Sequence, residues 1–458
     1  MSDAAPLAPP SLPIPAEVLP PFKALWMGVR NNLSTWPRVA YEEPVWRRRF
    51  FGADVLVVSD PAGVRHILNE AAENYVRPVV ALRALRPFGG AGLFLSEGAD
   101  WRRQRKMLSP IFTPGRVNLL TPHFQAAAEH LLRRLDSVRE TNLSRDFQDV
   151  ALEAVLRALF SLPEMDQREK IGALVRFYFS GPGKPNVLDV FARGEEDFSW
   201  FSRGRRKFRS QWQTAIDDLI AARKAAPKQG DGRDLLDLLL AVRDAASGEG
   251  LATPEIRDQC STMLVAGFET TARLMFWLSY LLALDPTEQE AVRAEIRNFP
   301  PEKLQCLDDL AHWPRLRQNI LEALRLYPPA PHVLRQALGE DVVCGETVNA
   351  ETQIWISPWI IHRHRKYWER PELFLPERFA GKANPGSAPW SGGAPYMPFG
   401  AGPRICIGAA FALAEAQIVL AAFLSRYRLS LADSRPVLPV GAVTIVPNRE
   451  PVFKLERV

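Results

Sequence analysis

Cysteine is scarce in this chain of 458 residues: Cys260, Cys306, Cys344 and Cys406 lie far apart, with no CxxC pair and no Cys/His cluster of zinc-binding spacing. That usage argues against a disulfide-built fold and fits a reducing compartment, the cytoplasm. Long apolar runs are also missing. The best, LMFWLSYLLAL after Arg273, has 11 residues, whereas a membrane-crossing helix needs about 18. The N-terminus, MSDAAPLAPPSLPIPAEVLPPF, is rich in proline and has no basic stretch leading into an apolar one, so it does not read as a signal peptide. A soluble protein without a membrane anchor is expected. Charge of one sign is not concentrated either: the net charge is +5, with acidic and basic residues interleaved, a pattern that does not suggest nucleic-acid binding. Neither an internal repeat nor a long low-complexity linker divides the chain.

What is present is an ordinary globular composition, 47% hydrophobic and 24% charged. Helical apolar spacing runs through WRRQRKMLSPIF, HFQAAAEHLLRRLDSV, DVALEAVLRALF, KFRSQWQTAIDDLIAARKA and LLDLLLAVRDAA. Most of the chain up to Tyr327 therefore reads as helix. TQIWISPWI reads as strand, more strand signal follows Arg426, and KQGDGRD near residue 230 reads as a connecting loop. The expectation is a mainly α fold with a smaller β portion: a Pro-rich segment, 1–45, packed on or leading into a single domain, 46–458, monomeric by default.

One helix stands out. Thr253 as N-cap and Pro254 at the first helical position mark its start, and Asp285 with Pro286 its end. At 1.5 Å per residue it is roughly 46 Å long, enough to cross a whole domain. Within it, AGFETT places a glycine and two threonines among good helix formers, so a local distortion is expected. Thr270 can turn its hydroxyl inward with the Glu269 carboxylate beside it; read alone, the stretch is more simply a capped kink with an exposed glutamate.

FGAGPRICIG, residues 399–408, packs three glycines, a proline and an arginine around Cys406. The strong helix pattern that follows puts this thiol at a helix N-terminus, where the positive helix end favours thiolate. Glycines at 400, 402 and 408 allow close backbone approach to a bulky, flat partner. A thiolate ligand fits this loop better than a nucleophile, which needs a base nearby in space; a buried cysteine in a glycine turn remains the plain alternative.

The pattern F-x-x-G-x-R-x-C-x-G, carried by Phe399, Gly402, Arg404, Cys406 and Gly408, resembles the haem-ligand loop of the cytochrome P-450 family. Other signatures of that family appear in order. LEALRLYPPAP holds ExxR as Glu322 and Arg325, and FLPERF holds Arg378, the third member of the family's Glu-Arg-Arg structural network. WRRQR resembles the haem-propionate contacts, as Trp101 and Arg105, with Arg335 and Arg404 added by motif position. Arg102, Arg103, Arg105 and Lys106 form a basic patch suited to an acidic electron-transfer partner, or simply a solvated helix face.

The resemblance implies the cytochrome P-450 fold, with the long helix over haem b and the cysteine loop beneath it. Cys406 would be the axial ligand of the haem iron. Ala266 would line the haem, Gly267 would leave room for O2, Thr270 would donate a hydrogen bond there, and Glu269 would help deliver protons. The implied activity is a haem-thiolate monooxygenase, adding one atom of O2 to a small apolar organic substrate by hydroxylation or epoxidation, of fatty-acid, terpenoid or aromatic type. Electrons from NAD(P)H would arrive through separate redox partners, a ferredoxin with its reductase or a flavodoxin-type donor. Two departures qualify the placement. Many soluble bacterial members carry histidine where this chain has Arg404, and EALRLYPPAP also resembles the branch of fatty-acid hydroxylases and microsomal enzymes; we expect a soluble, bacterial-type member. Substrate contacts are expected from residues 82–94, 177–201, 330–334 and 443–445, with Met263 and Ala266. The competing readings are a haem-thiolate isomerase or peroxygenase, and a non-enzymatic haem-binding sensor.

Overall fold

The structure, a computed structural model, describes residues 6–161, 165–183, 203–225, 234–381 and 395–458. At its centre lies helix Thr253–Leu284, flanked by Leu143–Phe160 and Ala409–Arg426. The named helices are α1 (Pro21–Arg30), α2 (Val79–Gly89), α3 (Gly98–Leu108), α4 (Thr121–Leu135), α5 (Leu143–Phe160), α6 (Met165–Ser180), α7 (Arg203–Ala225), α8 (Thr253–Leu284), α9 (Pro286–Asn298), α10 (Pro314–Leu326) and α11 (Ala409–Arg426).

From Thr271 to Leu282, α8 is buried on every side, as an all-round apolar helix must be. Its N-cap is Ala252, not Thr253: the Ala252 N–H donates to Glu255 Oε2 at 2.8 Å, and Thr253 is already helical. Its end is as expected, because Asp285 turns to cap α9 by accepting from the Glu288 N–H at 2.9 Å. No break occurs at AGFETT, where the helix runs on without interruption. Thr270 and Thr271 instead bond back to the carbonyls of Ala266 and Gly267, at 2.6 and 2.8 Å, an arrangement that leaves the regular ladder in place.

Helix α11 is long and apolar enough to cross a membrane by length and composition alone, with mean hydropathy 1.4. It is a core helix, since 67% of it is buried in the protein. Phe411 packs edge-on against Phe124 of α4, and Phe423 against Phe147 of α5.

The β portion differs from expectation at the N-terminal end, which the helical spacing left without strands. β1 (Val45–Phe50) and β2 (Ala53–Val58) form a hairpin whose tip, Phe51 and Gly52, has φ of +48° and +84°, as a two-residue turn matched to strand twist requires. With β3 (Tyr75–Val76), β4 (Val333–Ala337) and β5 (Gln353–Ile356) they build one sheet in the order β1-β2-β5-β4-β3, in which only β2/β5 is parallel. TQIWISPWI is strand only to Ile356. Ser357 then caps a short helix, Pro358–Ile361. LLDLLLAVRDAA likewise stops at Ala241, because the Asp244 carboxylate takes the Ala246 and Ser247 N–H groups and closes a turn that competes with the helix.

The Pro-rich segment packs on the domain. Leu33, Trp36, Ala40 and Tyr41 join the main core, and Leu7 accepts a backbone bond from Phe374 at 2.9 Å. Most of the KQGDGRD loop and most of segment 177–201 lie outside the described residues.

Candidate functional site

The loop before α11 is closed by short backbone bonds. Cys406 N–H donates to Phe399 O at 2.9 Å and Ile405 N–H to Gly402 O at 3.0 Å, around a turn at Gly402–Arg404. Gly402 is required here: its φ is +70°, and a Cβ would come 2.1 Å from the carbonyl oxygen of Leu68. Arg105 of α3 reaches across to Ile405 O at 2.9 Å. Cys406 is exposed, although protein packs closely around the thiol. Burial raises the thiol pKa, and the Gly408 N–H and the Arg105 charge offset that rise only in part. The protein alone therefore does not supply the thiolate expected at this helix end.

Beside this loop the structure gathers arginines. Arg404 donates to Ser96 O at 3.0 Å, pairs with Glu97, and lies over the Trp101 ring at 4.3 Å. Arg77 donates to the other Glu97 oxygen at 2.6 Å. Arg335, on β4, feels both Arg77 and Arg404. Its pKa is pushed down to about 9 by burial and then by these two like charges, and that of Arg404 to about 10 by burial and Arg77. Arg77 and Glu97 escaped the sequence reading, since neither belongs to a local motif. Three guanidinium groups thus share one carboxylate, which leaves a surplus of two positive charges. Two of the four residues of the outer basic patch are neutralised, Arg102 by Glu73 at 2.6 Å and Arg103 by Glu255, while Arg105 points inward to Ile405 O.

Glu322 and Arg325, one turn apart on α10, pair in two parallel bonds of 2.7 Å, both fully buried. Arg325 also donates to the carbonyls of His362, Pro371 and Leu373 at 2.7–2.8 Å, and Glu322 accepts the Leu375 N–H at 2.9 Å. Arg378 joins from 3.5 Å. His362 links this network to the segment before the cysteine loop, with Nδ1 at 3.2 Å from Arg325 O and Nε2 accepting the Met397 N–H at 2.9 Å. Among the described residues no His/Cys/Asp/Glu group could hold a bare metal ion, His362 and His364 included.

On α8, Met263, Ala266, Gly267 and Thr270 fall on one stripe and are partly open to solvent, Ala266 being exposed; Thr262 and Val265 beside the stripe are partly open as well. Glu269 is elsewhere. It is buried against α5, pairing with Arg273 at 2.8 Å and accepting from Gln148 at 2.8 Å, while Arg273 also donates to Ser144. Neither the exposed glutamate nor the carboxylate beside the Thr270 hydroxyl is found, because adjacent helix positions point about 100° apart. Gly267 has a packing reason of its own: a Cβ there would lie 3.0 Å from Val155 Cγ2, so its absence lets α8 and α5 approach.

The residues fit a haem. One accessible thiol on a rigid loop supplies a single axial ligand, and two surplus guanidinium charges suit the two propionate carboxylates of such a group. The fold and site therefore define a haem-thiolate protein.

Comparison with known proteins makes the placement definite. The family model "Cytochrome P-450" matches residues 15–453. A cytokinin hydroxylase of Arabidopsis thaliana is 31% identical over 376 residues, covering 79% of this chain and 71% of the relative. Cytochrome P-450 4B1 of Rattus norvegicus is 32% identical over 379 residues, covering 77% and 71%. A solved cytochrome P-450 (CYP102L1) superposes with TM-score 0.79 at 24% identity, over 98% of this chain and 100% of that one, a likeness of fold. The chain belongs to the cytochrome P-450 family. It is an enzyme of the monooxygenase class, with haem b, O2 and electrons from NAD(P)H delivered through partners. Its plant and rat relatives do not support the narrower placement among soluble bacterial members.

Proposed function

We propose that this enzyme hydroxylates or epoxidises a small apolar molecule, drawing electrons from a separate ferredoxin or flavodoxin-type donor. The observation that supports the apolar substrate class is the line Met263, Ala266, Gly267 and Thr270, partly open to solvent just ahead of the stretch Thr271–Leu282 that is buried all round, and carrying one hydroxyl among apolar groups. Gly92 supports it. A Cβ there would meet Thr262 Oγ1 at 2.4 Å, so the glycine loop 89–92 lies directly on α8 next to the residue that precedes Met263.

The haem, when bound, supplies the oxygen chemistry, with Cys406 as its thiolate ligand. This chain's residues do the rest. Arg335, Arg404 and Trp101 would hold the carboxylate edge of the haem, and Arg105 fixes the Ile405 carbonyl beside Cys406. Thr270 carries a hydroxyl that rotates from Ala266 O to donate a proton at the open stripe. The Glu322–Arg325 pair keeps the segment ahead of the cysteine loop in place.

The test is turnover of the purified holoenzyme with ferredoxin and its reductase, scored by product and by consumption of reduced nicotinamide against fatty-acid, terpenoid and aromatic panels. Nicotinamide consumption that rises only with apolar substrates, with Cys406→Ser abolishing the strongly red-shifted Soret band of the reduced carbon monoxide complex, is the expected result. Preference for charged or strongly polar substrates overturns the substrate class.

A further inference from the structure

The Pro-rich N-terminal segment is tied to the domain at two points: the Phe374 N–H donates to Leu7 O and the Arg38 N–H to Pro15 O, both at 2.9 Å. Between these ties, residues 11–14 pass over a cavity of about 130 Å³. That volume is close to the roughly 150 Å³ of an engineered protein cavity that takes up benzene, so the space suits one small ring and not a long chain. None of Trp101, Arg105, Arg335, Arg404 and Cys406, and no residue of the α8 stripe, lines it.

The domain side of this cavity is aromatic and rich in hydrogen-bond donors. Trp36, Tyr41 and Trp359 line it and are buried. The indole N–H of Trp36 has no acceptor among the described residues. Tyr41 accepts from Trp359 Nε1 at 3.0 Å, and its own O–H has no acceptor among them either. Burial pushes the Tyr41 pKa up to about 12, so the phenol keeps its proton and remains a donor. Arg363 lines the same space, 6% exposed, with its guanidinium over the Trp359 ring at 3.5 Å and bonds to the Leu326 and Trp359 carbonyls. Among the described residues its one carboxylate contact is long, 3.8 Å to Glu372, whose side chain is 45% exposed. The other cation of the wall, Arg365, is taken by Glu42. Two donors without acceptors and a buried guanidinium with a distant counter-charge are each costly, and one ligand carboxylate answers all three. Leu12, Ile14 and Leu33 supply the apolar wall for the rest of such a ligand.

We propose that the cavity beneath residues 11–14 is a second ligand site, separate from the haem, for a small aromatic carboxylate whose oxygens accept from Trp36, Tyr41 and Arg363 and whose ring sits against Leu12, Ile14 and Leu33. The site is independent of the substrate class proposed for the haem face.

The experiment is isothermal titration calorimetry of the full-length holoenzyme with benzoate, and with benzamide as its uncharged counterpart. One benzoate is expected to bind per chain without moving the Soret band, and benzamide to bind roughly tenfold more weakly or worse. Tyr41→Phe and Trp36→Phe, which each remove one donor, should weaken benzoate roughly tenfold. Glu372→Gln removes the one acid of the wall and should tighten it by about threefold, a gain that a damaged fold does not produce. An unaltered spectrum of the reduced carbon monoxide complex certifies each variant as folded. Any of four results overturns the proposal: no benzoate binding in the millimolar range, benzamide binding as tightly as benzoate, the same affinity in parent and variants, or benzoate that shifts the Soret band and is displaced by an azole on the iron, which would place it at the haem instead.

Discussion

Arg325 lays its guanidinium across Glu322 in two bonds of 2.7 Å, with no part of either side chain open to solvent. Such a pair is costly to desolvate, and its value lies in what it organises: Arg325 holds three carbonyls of segment 362–373 and Glu322 the Leu375 N–H. Glu322→Gln should therefore cost about 3–5 kcal/mol, because it leaves a buried guanidinium uncompensated. Arg378→Ala, which removes a longer 3.5 Å contact, should cost about 1 kcal/mol. Urea unfolding together with haem content checks both. Equal losses for the two variants would mean that Arg378, not the pair, organises the segment.

Gly267 yields a second expectation. A methyl group there meets Val155 Cγ2 at 3.0 Å, so Gly267→Ala should destabilise by about 1–3 kcal/mol despite the better helix propensity of alanine. Val155→Ala in the same chain should recover much of that loss. A thermal shift for the double variant no smaller than the sum of the single ones would show that the close approach to α5 is not what demands glycine.

The parts legible in the sequence are those with local spacing. The cysteine loop, the Glu322/Arg325 turn and the long helix each have chemistry fixed by neighbours within a few residues. Long-range partners were not legible. Glu269 meets Gln148 across 121 positions, and Arg404 meets Glu97 across 307, distances at which no periodicity carries information. Arg77 likewise joins the arginine cluster from outside any motif. The hairpin at residues 45–58 was missed for another reason: three successive arginines, 47–49, hide the apolar alternation of an edge strand, and the β-branched run of β2 was the one local clue.

Thr270 and Glu269 are neighbours in sequence and separate in role. Thr270→Ala should uncouple the enzyme, lowering product per reduced nicotinamide by roughly tenfold or more, and Thr270→Ser should restore much of it, since a hydroxyl is what the stripe supplies. Glu269→Gln should act first on stability, by about 3 kcal/mol, because it strands the buried Arg273. Product-to-nicotinamide ratios and unfolding curves for the three variants separate these effects. Uncoupling by Glu269→Gln with unchanged stability would return the carboxylate to proton delivery.

His332 sets an acid limit. It lies at 3.1 Å from Ser357 Oγ and 3.2 Å from Asn32 Oδ1, between Trp36 and Trp355, and burial pushes its pKa from 6.5 down to about 4. The folded chain therefore refuses a proton that the unfolded chain accepts. Stability from this group is fully present above pH 6.5 and drains away as the pH falls towards about 4, by at most about 1.4 kcal/mol per pH unit for one proton. His362 adds to the same slope. Burial and then the Arg325 and Arg363 charges hold its pKa well below 6.5, and its Nε2 must stay unprotonated to accept from Met397. His332→Gln should flatten the acid limb while leaving the Soret band in place, measured by urea unfolding of the holoenzyme across that pH range. An acid limb as steep as that of the parent would transfer the whole effect to His362 and to His123 and His364, whose pKa values burial also lowers.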